Sequence, residues 1–455
     1  MKAKALDMTQ GNITKLALQF ALPLCIGNIL QHLYSIVDTI VVGNFCGTTS
    51  LAAVGTSSQP VEILLFLFMG IGRGISILIA QSVGEQNLKK IQNLSTCAVT
   101  YVFAAAIPLS IIGYFCGPFI LSLMQVPQDT LPLASNYLQI VFLGTIGQMG
   151  YNINAGLLSG MGDSFASLLF LILSCFINIV LDLFFVVVLH MDVTGAALAT
   201  VIAMLFSWIF SIIYIKKKYK HLQFPILPKK VSKVLFKEVL AKGIPLGLNN
   251  SLYSFGHTVM QSLINTQGSV FIAGCAVGGK LSTLSNLAIT AFASAGLTFA
   301  GQNLGAKKYQ RLKKGCVYIP FLCGCITISL ALIVFTFKKP FLSIFTKDAA
   351  VLAMATRWVY IVLSFTWCYA IFNGIINIAN GLGDIKFTMA INLIMLWVVR
   401  IPTAYLLKAL NLGNYLMAAI PISFVCGLIS MLFYYKSKHW KEICRLAKEE
   451  QASVA

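Results

Sequence analysis

The chain has 455 residues, of which 58% are hydrophobic and only 10% are charged, whereas a soluble domain carries about 25% charged residues. This composition, with a mean hydropathy of +0.84, excludes a soluble globular protein, a disordered chain and a charged coiled coil. The net charge of +19 does not indicate nucleic-acid binding, because Lys and Arg form short clusters between long apolar runs instead of one basic face. The remaining class is an all-α polytopic membrane protein.

Twelve apolar segments are each long enough to cross a bilayer as a helix, which needs about 20 residues. In chain order, the predicted spans are 13–42, 51–83, 92–117, 132–158, 165–189, 194–215, 242–267, 271–304, 316–337, 351–378, 388–407 and 414–435. Most of the 33 Lys and Arg residues fall in alternate loops, which predicts that both termini lie in the cytoplasm. The first apolar run is too long for a cleavable signal peptide and lacks a cleavage site.

Two short motifs recur at one offset along the chain. The sequence of Gln81–Gly84, QSVG, returns as QNLG at Gln302–Gly305, and Gly160–Asp163 (GMGD) returns as Gly381–Asp384 (GLGD), in both cases 221 residues later. Parallel repeats of this kind are typical of secondary transporters built from two halves. We therefore predict two six-helix lobes related by pseudo-two-fold symmetry. The predicted organisation is an N-lobe at 1–215, a basic cytoplasmic linker at 216–241, a C-lobe at 242–435 and a cytoplasmic tail at 436–455.

Three acidic residues fall inside predicted spans, all of them in the first half: Asp38, Glu62 and Asp182. A carboxylate at membrane depth costs about 2.5–3.5 kcal/mol on insertion scales, so it usually faces a polar cavity and serves ion or proton movement. Asn178 precedes Asp182 by one helical turn, so both point the same way. Glu62 lies near the outer end of its span, where it can reach water. Asp38 and Asp182 are the candidate ion site, although each could instead cap or pair with a neighbouring helix.

The polar residues that accompany these acids fall into two sets. Gln31, Tyr34 and Ser35 lie on the same helix face as Asp38. The seventh span has a polar face without a carboxylate, which suits interhelical hydrogen bonds equally well: Asn250, Ser254, His257, Gln261 and Asn265. Lys280 and Arg400 are membrane-depth cations without an evident partner, and the role of Arg73 stays open. No catalytic constellation, metal-ligand cluster or disulfide pattern appears, so we predict neither an enzyme nor a metal protein.

Several stretches together resemble the MATE (multidrug and toxic compound extrusion) family, most closely its bacterial DinF-like and MepA-like members. They are Pro23, Val37–Gly43 (VDTIVVG), Asn178–Asp182 (NIVLD), Gly195–Thr200 (GAALAT) and Thr298–Lys307 (TFAGQNLGAK). The resemblance implies an exporter of cationic amphipathic drugs in exchange for H⁺ or Na⁺, with no other cofactor. It further implies a bacterial inner-membrane protein that works as a monomer in the lipid bilayer and alternately opens a central cleft to either side.

Residue by residue, the resemblance implies a first-lobe site made of Asp38, Tyr137, Asn152, Asn178, Asp182 and Thr200, with Pro23 in a bending helix. One branch of the family carries a Glu in the seventh span, where this chain reads Asn249–Tyr253 (NNSLY), which favours coupling through the first lobe. The alternative within transport is a lipid-linked oligosaccharide flippase of a related superfamily. That reading requires a cationic cleft, for which Arg73, Lys280 and Arg400 are the available residues.

Overall fold

The computed structural model describes residues 5–124, 126–343 and 345–454. It leaves undescribed the side chains of Tyr34, Ser35, Thr48, Ser58, Gln59, Glu62, Ile63, Leu64, Leu67, Leu284, Ser453 and Val454. Within the described ranges the chain is mostly helical and contains no β-strand. The prediction of an all-α protein is therefore confirmed.

The first half of the chain contains seven α-helices. They are α1 (Ile13–Phe45), α2 (Thr48–Gly84), α3 (Leu88–Leu123), α4 (Leu131–Leu143), α5 (Thr145–Gly160), α6 (Ser164–Asp182) and α7 (Asp192–Lys218). The second half follows with α8 (Lys233–Asn265), α9 (Ser269–Gly305), α10 (Tyr309–Thr336), α11 (Lys338–Ser343), α12 (Ala349–Trp358), α13 (Thr366–Leu382), α14 (Ile385–Leu393), α15 (Ile401–Ala409), α16 (Ala419–Leu432) and α17 (Lys438–Val454). Short π-helical or 3₁₀ turns join several of them, including a π-helical turn at Leu183–Val188 directly after α6.

Each predicted span falls, to within two residues at its end, inside one of these helices or inside a run of adjoining helices. In the described part of the chain, eight helices are long and apolar enough to cross a membrane, and a ninth span is a bent pair. The pair joins Ala349–Leu363 to Thr366–Leu382 at an angle of 43°. Phe68–Gly84 and Leu131–Leu143 are shorter apolar helices. The sequence analysis did not predict α17, a helix of its own in the predicted tail after residue 435.

The repeat seen in the motifs is also a repeat of helices. The first helices of the two halves, α1 and α8, each have 33 residues and each contain a proline, Pro23 and Pro245 respectively. The second helices, α2 and α9, each have 37 residues, and their starting residues, Thr48 and Ser269, differ by the same 221 positions as the motifs. The helical pattern thus agrees with two halves of one topology.

The chain forms two compact units, and two of the boundaries between them fall inside helices. Ile26–Leu248 make up the bulk of the first unit, and Leu6–Cys25 with Asn249–Ala455 make up the second. The helix α1 therefore begins in the second unit and passes into the first between Cys25 and Ile26, two residues after Pro23. The helix α8 passes in the opposite sense between Leu248 and Asn249, three residues after Pro245. In both helices the chain changes unit next to a proline.

The segment before α1 is bound to the rest of the second unit by hydrogen bonds from side chains to its backbone carbonyls. Arg311 on α10 donates to the carbonyl oxygens of Met8 (3.1 Å), Gln10 (3.1 Å) and Gly11 (2.6 Å). Asn303 on α9 donates to the Met8 carbonyl at 3.0 Å, and the Met8 side chain is buried. These bonds fix the start of α1 against α9 and α10.

Close helix packing in the first unit depends on glycine. A Cβ added at Gly156 on α5 would lie 2.2 Å from the carbonyl oxygen of Gly72 on α2, and a backbone atom cannot rotate away. The substitution Gly156→Ala is expected to force α2 and α5 apart and to lower the free energy of unfolding by about 2 kcal/mol. The matched control is Gly279→Ala on α9, because nothing lies within 4 Å of a Cβ there. Unfolding midpoints of the two purified variants check the expectation, which fails if both variants unfold like the wild type.

Candidate functional site

The two intramembrane aspartates of the first half lie next to each other. Asp38 is on α1 and Asp182 is the last residue of α6, and their carboxyl groups are close enough to share a hydrogen bond when one carries a proton. Asp182 is completely buried, and so is nearly all of Asn178 one turn before it. The Asn178 amide donates to the Thr200 hydroxyl on α7 at 3.5 Å. The structure thus brings four of the predicted site residues together.

The oxygens of this cluster are short of donors. Both carboxylate oxygens of Asp182, one of Asp38 and the side-chain oxygen of Asn178 are buried and accept no hydrogen bond from the described protein atoms. A buried polar group without a hydrogen-bond partner costs free energy, and a buried carboxylate costs more. A proton could bind to one of the two carboxylates of this cluster. A hard cation could be coordinated by its carboxylate and amide oxygens.

The remaining predicted residues of the first half stand in different surroundings. The amide of Asn152 on α5 donates to the Gln148 carbonyl of its own helix at 2.8 Å, so the described contacts do not join it to the aspartates. Tyr137 on α4 is half-buried, and Gln31 on α1 is exposed. The side chains of Tyr34 and Glu62 lie outside the part of the structure that is described. Pro23 lies inside the unbroken helix α1.

Asp182 occupies a special backbone position that the sequence did not reveal. The α-helical pattern of α6 ends at this residue and gives way to the π-helical turn at Leu183–Val188. Short π-helical insertions are rare in proteins, and those that occur often lie at functional sites. The apolar run through this region is continuous, so hydrophobic periodicity alone carries no signal for the change.

In the second unit, the structure supplies the partners of Arg400 that were not evident in the sequence. Arg400 is only 4% exposed, and its guanidinium donates to the Ser423 hydroxyl at 2.8 Å and to the Tyr253 hydroxyl at 3.1 Å. Its charge also lies over the rings of Tyr253 and Phe424, at 5.7 and 5.3 Å from their centroids. Hydroxyl oxygens and aromatic ring faces therefore stabilise the buried charge of Arg400 in place of a carboxylate.

The polar face of α8 is only partly involved in this cluster. The His257 ring contacts the Tyr253 ring edge to face at 5.0 Å, which places it beside the Arg400 cluster. Gln261 is exposed and donates to Asn265 on its own helix at 2.8 Å. Asn250 is half-buried, and Lys280 on α9 is exposed. The described contacts therefore join His257, but neither Gln261 nor Lys280, to the buried Arg400.

Sequence reasoning assigned Asp163 and Asp384 only to loops, although both organise helix ends. Asp163 is 2% exposed and accepts hydrogen bonds from Tyr214 (2.9 Å), Lys218 (2.8 Å) and Tyr219 (2.8 Å). Asp384, at the same place in the second repeat, accepts from Tyr434 and pairs with His439 at 2.6 Å. The recurrence of the GMGD and GLGD motifs was the available signal for both residues.

The Asp384 pair predicts a dependence of stability on pH. The hydrogen bond to Asp384 raises the pKa of His439 above its ordinary value near 6.5. A group whose pKa is raised by folding stabilises the protein fully at pH values below its pKa in the unfolded chain. This stabilisation is lost as the pH rises through its pKa in the folded protein. In the variant His439→Lys the side chain stays charged, as Lys218 is beside Asp163 in the first repeat. As the pH rises above about 6.5, the unfolding midpoint of the wild type should therefore fall relative to that of His439→Lys. Equal midpoint differences at all pH values would contradict the assignment.

Comparison with known proteins agrees with this architecture. The sequence model of the MatE family matches the chain twice, at residues 23–184 and 245–406. The probable multidrug resistance protein YpnP of Bacillus subtilis is 27% identical over 442 residues, covering 96% of this chain and 98% of that protein. The multidrug export protein MepA of Staphylococcus aureus is 25% identical, covering 93% and 94% respectively. An outward-facing multidrug resistance MATE family transporter of the MOP superfamily superposes with a TM-score of 0.90 at 22% identity, covering 98% of this chain and all of that structure.

A protein with this fold and these matches is a multi-pass membrane transporter and not an enzyme. The chain belongs to the MATE family, because the family model covers well over half of it. The solved structures share its fold across nearly the whole chain, which also confirms the twelve-helix architecture predicted from the sequence. The family model matches the two halves separately at an offset of 222 residues, within one residue of the internal repeat of 221.

Proposed function

We propose that this protein exports cationic amphipathic small molecules in exchange for H⁺ or Na⁺, and that Asp38 and Asp182 bind the coupling ion. Two relatives, YpnP and MepA, are named as multidrug resistance and multidrug export proteins, which supports the cargo class. The observation that carries the proposal is the neighbouring pair of carboxyl groups, of which three of the four oxygens are buried and lack donors. The third acidic residue within the predicted spans of the first half, Glu62, lies near the outer end of its span.

Ion and cargo compete for the same negative charge in this mechanism. An ion at Asp38 and Asp182 neutralises the pair, which removes the attraction for a cationic cargo and favours its release. A cargo cation that binds afterwards requires the ion to leave. Since a ligand shifts a conformational equilibrium only through unequal affinity for the two states, the pair must hold the ion more tightly in one state than in the other.

The helix that carries Asp38 offers a means of coupling. Its first part belongs to the second unit and the part with Asp38 belongs to the first, with Pro23 just before the change. A proline inside a helix removes one backbone hydrogen bond and lowers the cost of bending there. We propose that ion binding at Asp38 changes the bend of α1 near Pro23.

The remaining parts of the proposal concern cargo contacts and placement in the cell. We assign Asn178 to the ion site with Asp38 and Asp182. We assign cargo contacts in the first unit to Thr200, Tyr137, Asn152, Gln31 and Tyr34. The distribution of Lys and Arg supports cytoplasmic termini and a place in the bacterial inner membrane. We further propose that the protein works as a monomer, because every residue of the described site belongs to one chain.

Dye efflux in everted membrane vesicles tests the proposed function. Everted vesicles that contain the protein are mixed with a fluorescent cationic dye. An H⁺ gradient or a Na⁺ gradient is then imposed in separate experiments. One of the two gradients should drive dye transport well above that of vesicles without the protein. Dye movement that responds to neither gradient would exclude antiport, and transport of a lipid-linked oligosaccharide instead would favour the flippase alternative.

A further inference from the structure

A basic cavity lies at the start of α8, beside α3. It has a volume of about 510 Å³ and is lined by Thr100, Lys229, Val231, Lys233, Val234, Phe236 and Lys237. We refer to it as the linker cavity. Three lysines and no acidic residue line it, and none of the three lysines forms an ion pair with a described acidic residue. Its charge is therefore uncompensated by the protein.

The segment that forms the linker cavity is fixed to α3. The Thr100 hydroxyl accepts a hydrogen bond from the Lys229 backbone at 3.2 Å, and the Gln92 amide donates to the His221 carbonyl at 2.7 Å. The Phe236 ring packs against the Tyr101 ring with centroids 5.7 Å apart. These contacts fix the backbone that carries the three lysines, so a ligand meets them without first ordering a loop.

Apolar side chains stand exposed next to these charges. Ile226 is 52% exposed, Leu227 is 66% exposed and Val234, which lines the cavity, is 75% exposed. Thr100 lies eight residues into the predicted third span, about 12 Å along the helix, and Lys237 lies five residues before the predicted seventh span. Charged and apolar groups thus meet near the level where the headgroups and acyl chains of a bilayer adjoin.

We propose that the linker cavity binds the headgroup of an anionic phospholipid, with Lys229, Lys233 and Lys237 around the phosphate and Val234 and Phe236 against the start of an acyl chain. Juxtamembrane lysines attract anionic lipids. A soluble phosphate compound would satisfy the lysines but would leave the exposed apolar groups in water. The apolar rim is therefore the reason to favour a lipid as the occupant.

Lipid binding to the full-length protein tests this inference independently of transport. The purified protein in neutral detergent is titrated with short-chain phosphatidylglycerol, and binding is followed by native mass spectrometry. Lys229→Gln, Lys233→Gln and Lys237→Gln combined should weaken binding at least about tenfold. The matched control combines Lys216→Gln, Lys217→Gln and Lys220→Gln, which removes the same charge from exposed linker positions outside the cavity. The control variant should bind like the wild type.

Three outcomes would overturn the proposal. Equal loss of binding in both triple variants would assign the effect to overall charge. Equal binding of phosphatidylcholine by the wild type would show that the negative charge of the lipid is not recognised. Glycerol phosphate that displaces phosphatidylglycerol at a similar concentration would assign the cavity to a soluble phosphate. Val234→Ser adds a second readout, because it should weaken lipid binding without changing the charge.

Discussion

Replacing Asp38 with Asn is expected to abolish ion-driven export while the protein still folds and reaches the membrane. Asn keeps the shape of the side chain but can neither release a proton nor attract a cation by charge. The oxygen of Asp38 that is buried without a donor would then belong to a neutral amide, so the pair could no longer alternate between ion and cargo. Dye efflux in everted vesicles at matched expression should fall to the level of vesicles without the protein.

The control for this substitution is Asp129→Asn. Asp129 is exposed and lies in the loop before α4, so the same chemical change there should leave efflux near the wild-type rate. Asp182→Asn should behave like Asp38→Asn, because the two carboxyl groups act as one site. Ion-driven efflux by Asp38→Asn at the wild-type rate would remove Asp38 from the coupling mechanism.

Replacing Asp163 with Ala is expected to cause the largest loss of stability. The substitution removes the acceptor for Tyr214, Lys218 and Tyr219 at once and leaves the lysine charge partly buried without its partner. Breaking a buried ion pair in this way typically costs 3–5 kcal/mol, and the value here should be about 3 kcal/mol because Lys218 is 26% exposed. The unfolding midpoint should therefore fall by roughly 6–12 °C.

Asp129→Ala is the control for this loss as well. Its exposed carboxylate accepts one hydrogen bond, from the neighbouring Thr130 hydroxyl at 3.2 Å, so its removal should change the unfolding midpoint little. A fall of the midpoint in both variants to the same extent would show that any acid in the first unit has this effect. An unchanged midpoint in Asp163→Ala would mean that the buried bonds do not stabilise the unit.

The fold was largely predictable because the bilayer imposes a simple rule on sequence. A helix that crosses it needs about 20 apolar residues, and that signal recurs along the chain at every span. The internal repeat was equally readable, since Gly160–Asp163 and Gly381–Asp384 stand at one offset. The extra helix α17 was not predicted, because its polar sequence carries no membrane signal and its place depends on packing against α10.

The candidate site was predictable only where charge at membrane depth marks it. Asp38 and Asp182 are rare residues for their position, so composition alone selects them. Arg400 was selected by the same reasoning, but its partners are hydroxyls and aromatic rings, which are too common in the sequence to identify. Asp163 was missed because an acid in a predicted loop is expected to be solvated, whereas three donors from the end of α7 bury it.

The central claim is that cargo and coupling ion compete for Asp38 and Asp182. The most direct measurement is the affinity of the purified protein for a fluorescent cationic dye, determined at several pH values without Na⁺ and at several Na⁺ concentrations at fixed pH. We expect one of the two ions to weaken dye binding by the wild type and neither to do so in the variant with Asp38→Asn and Asp182→Asn. Competition that persists unchanged in that double variant would contradict the account.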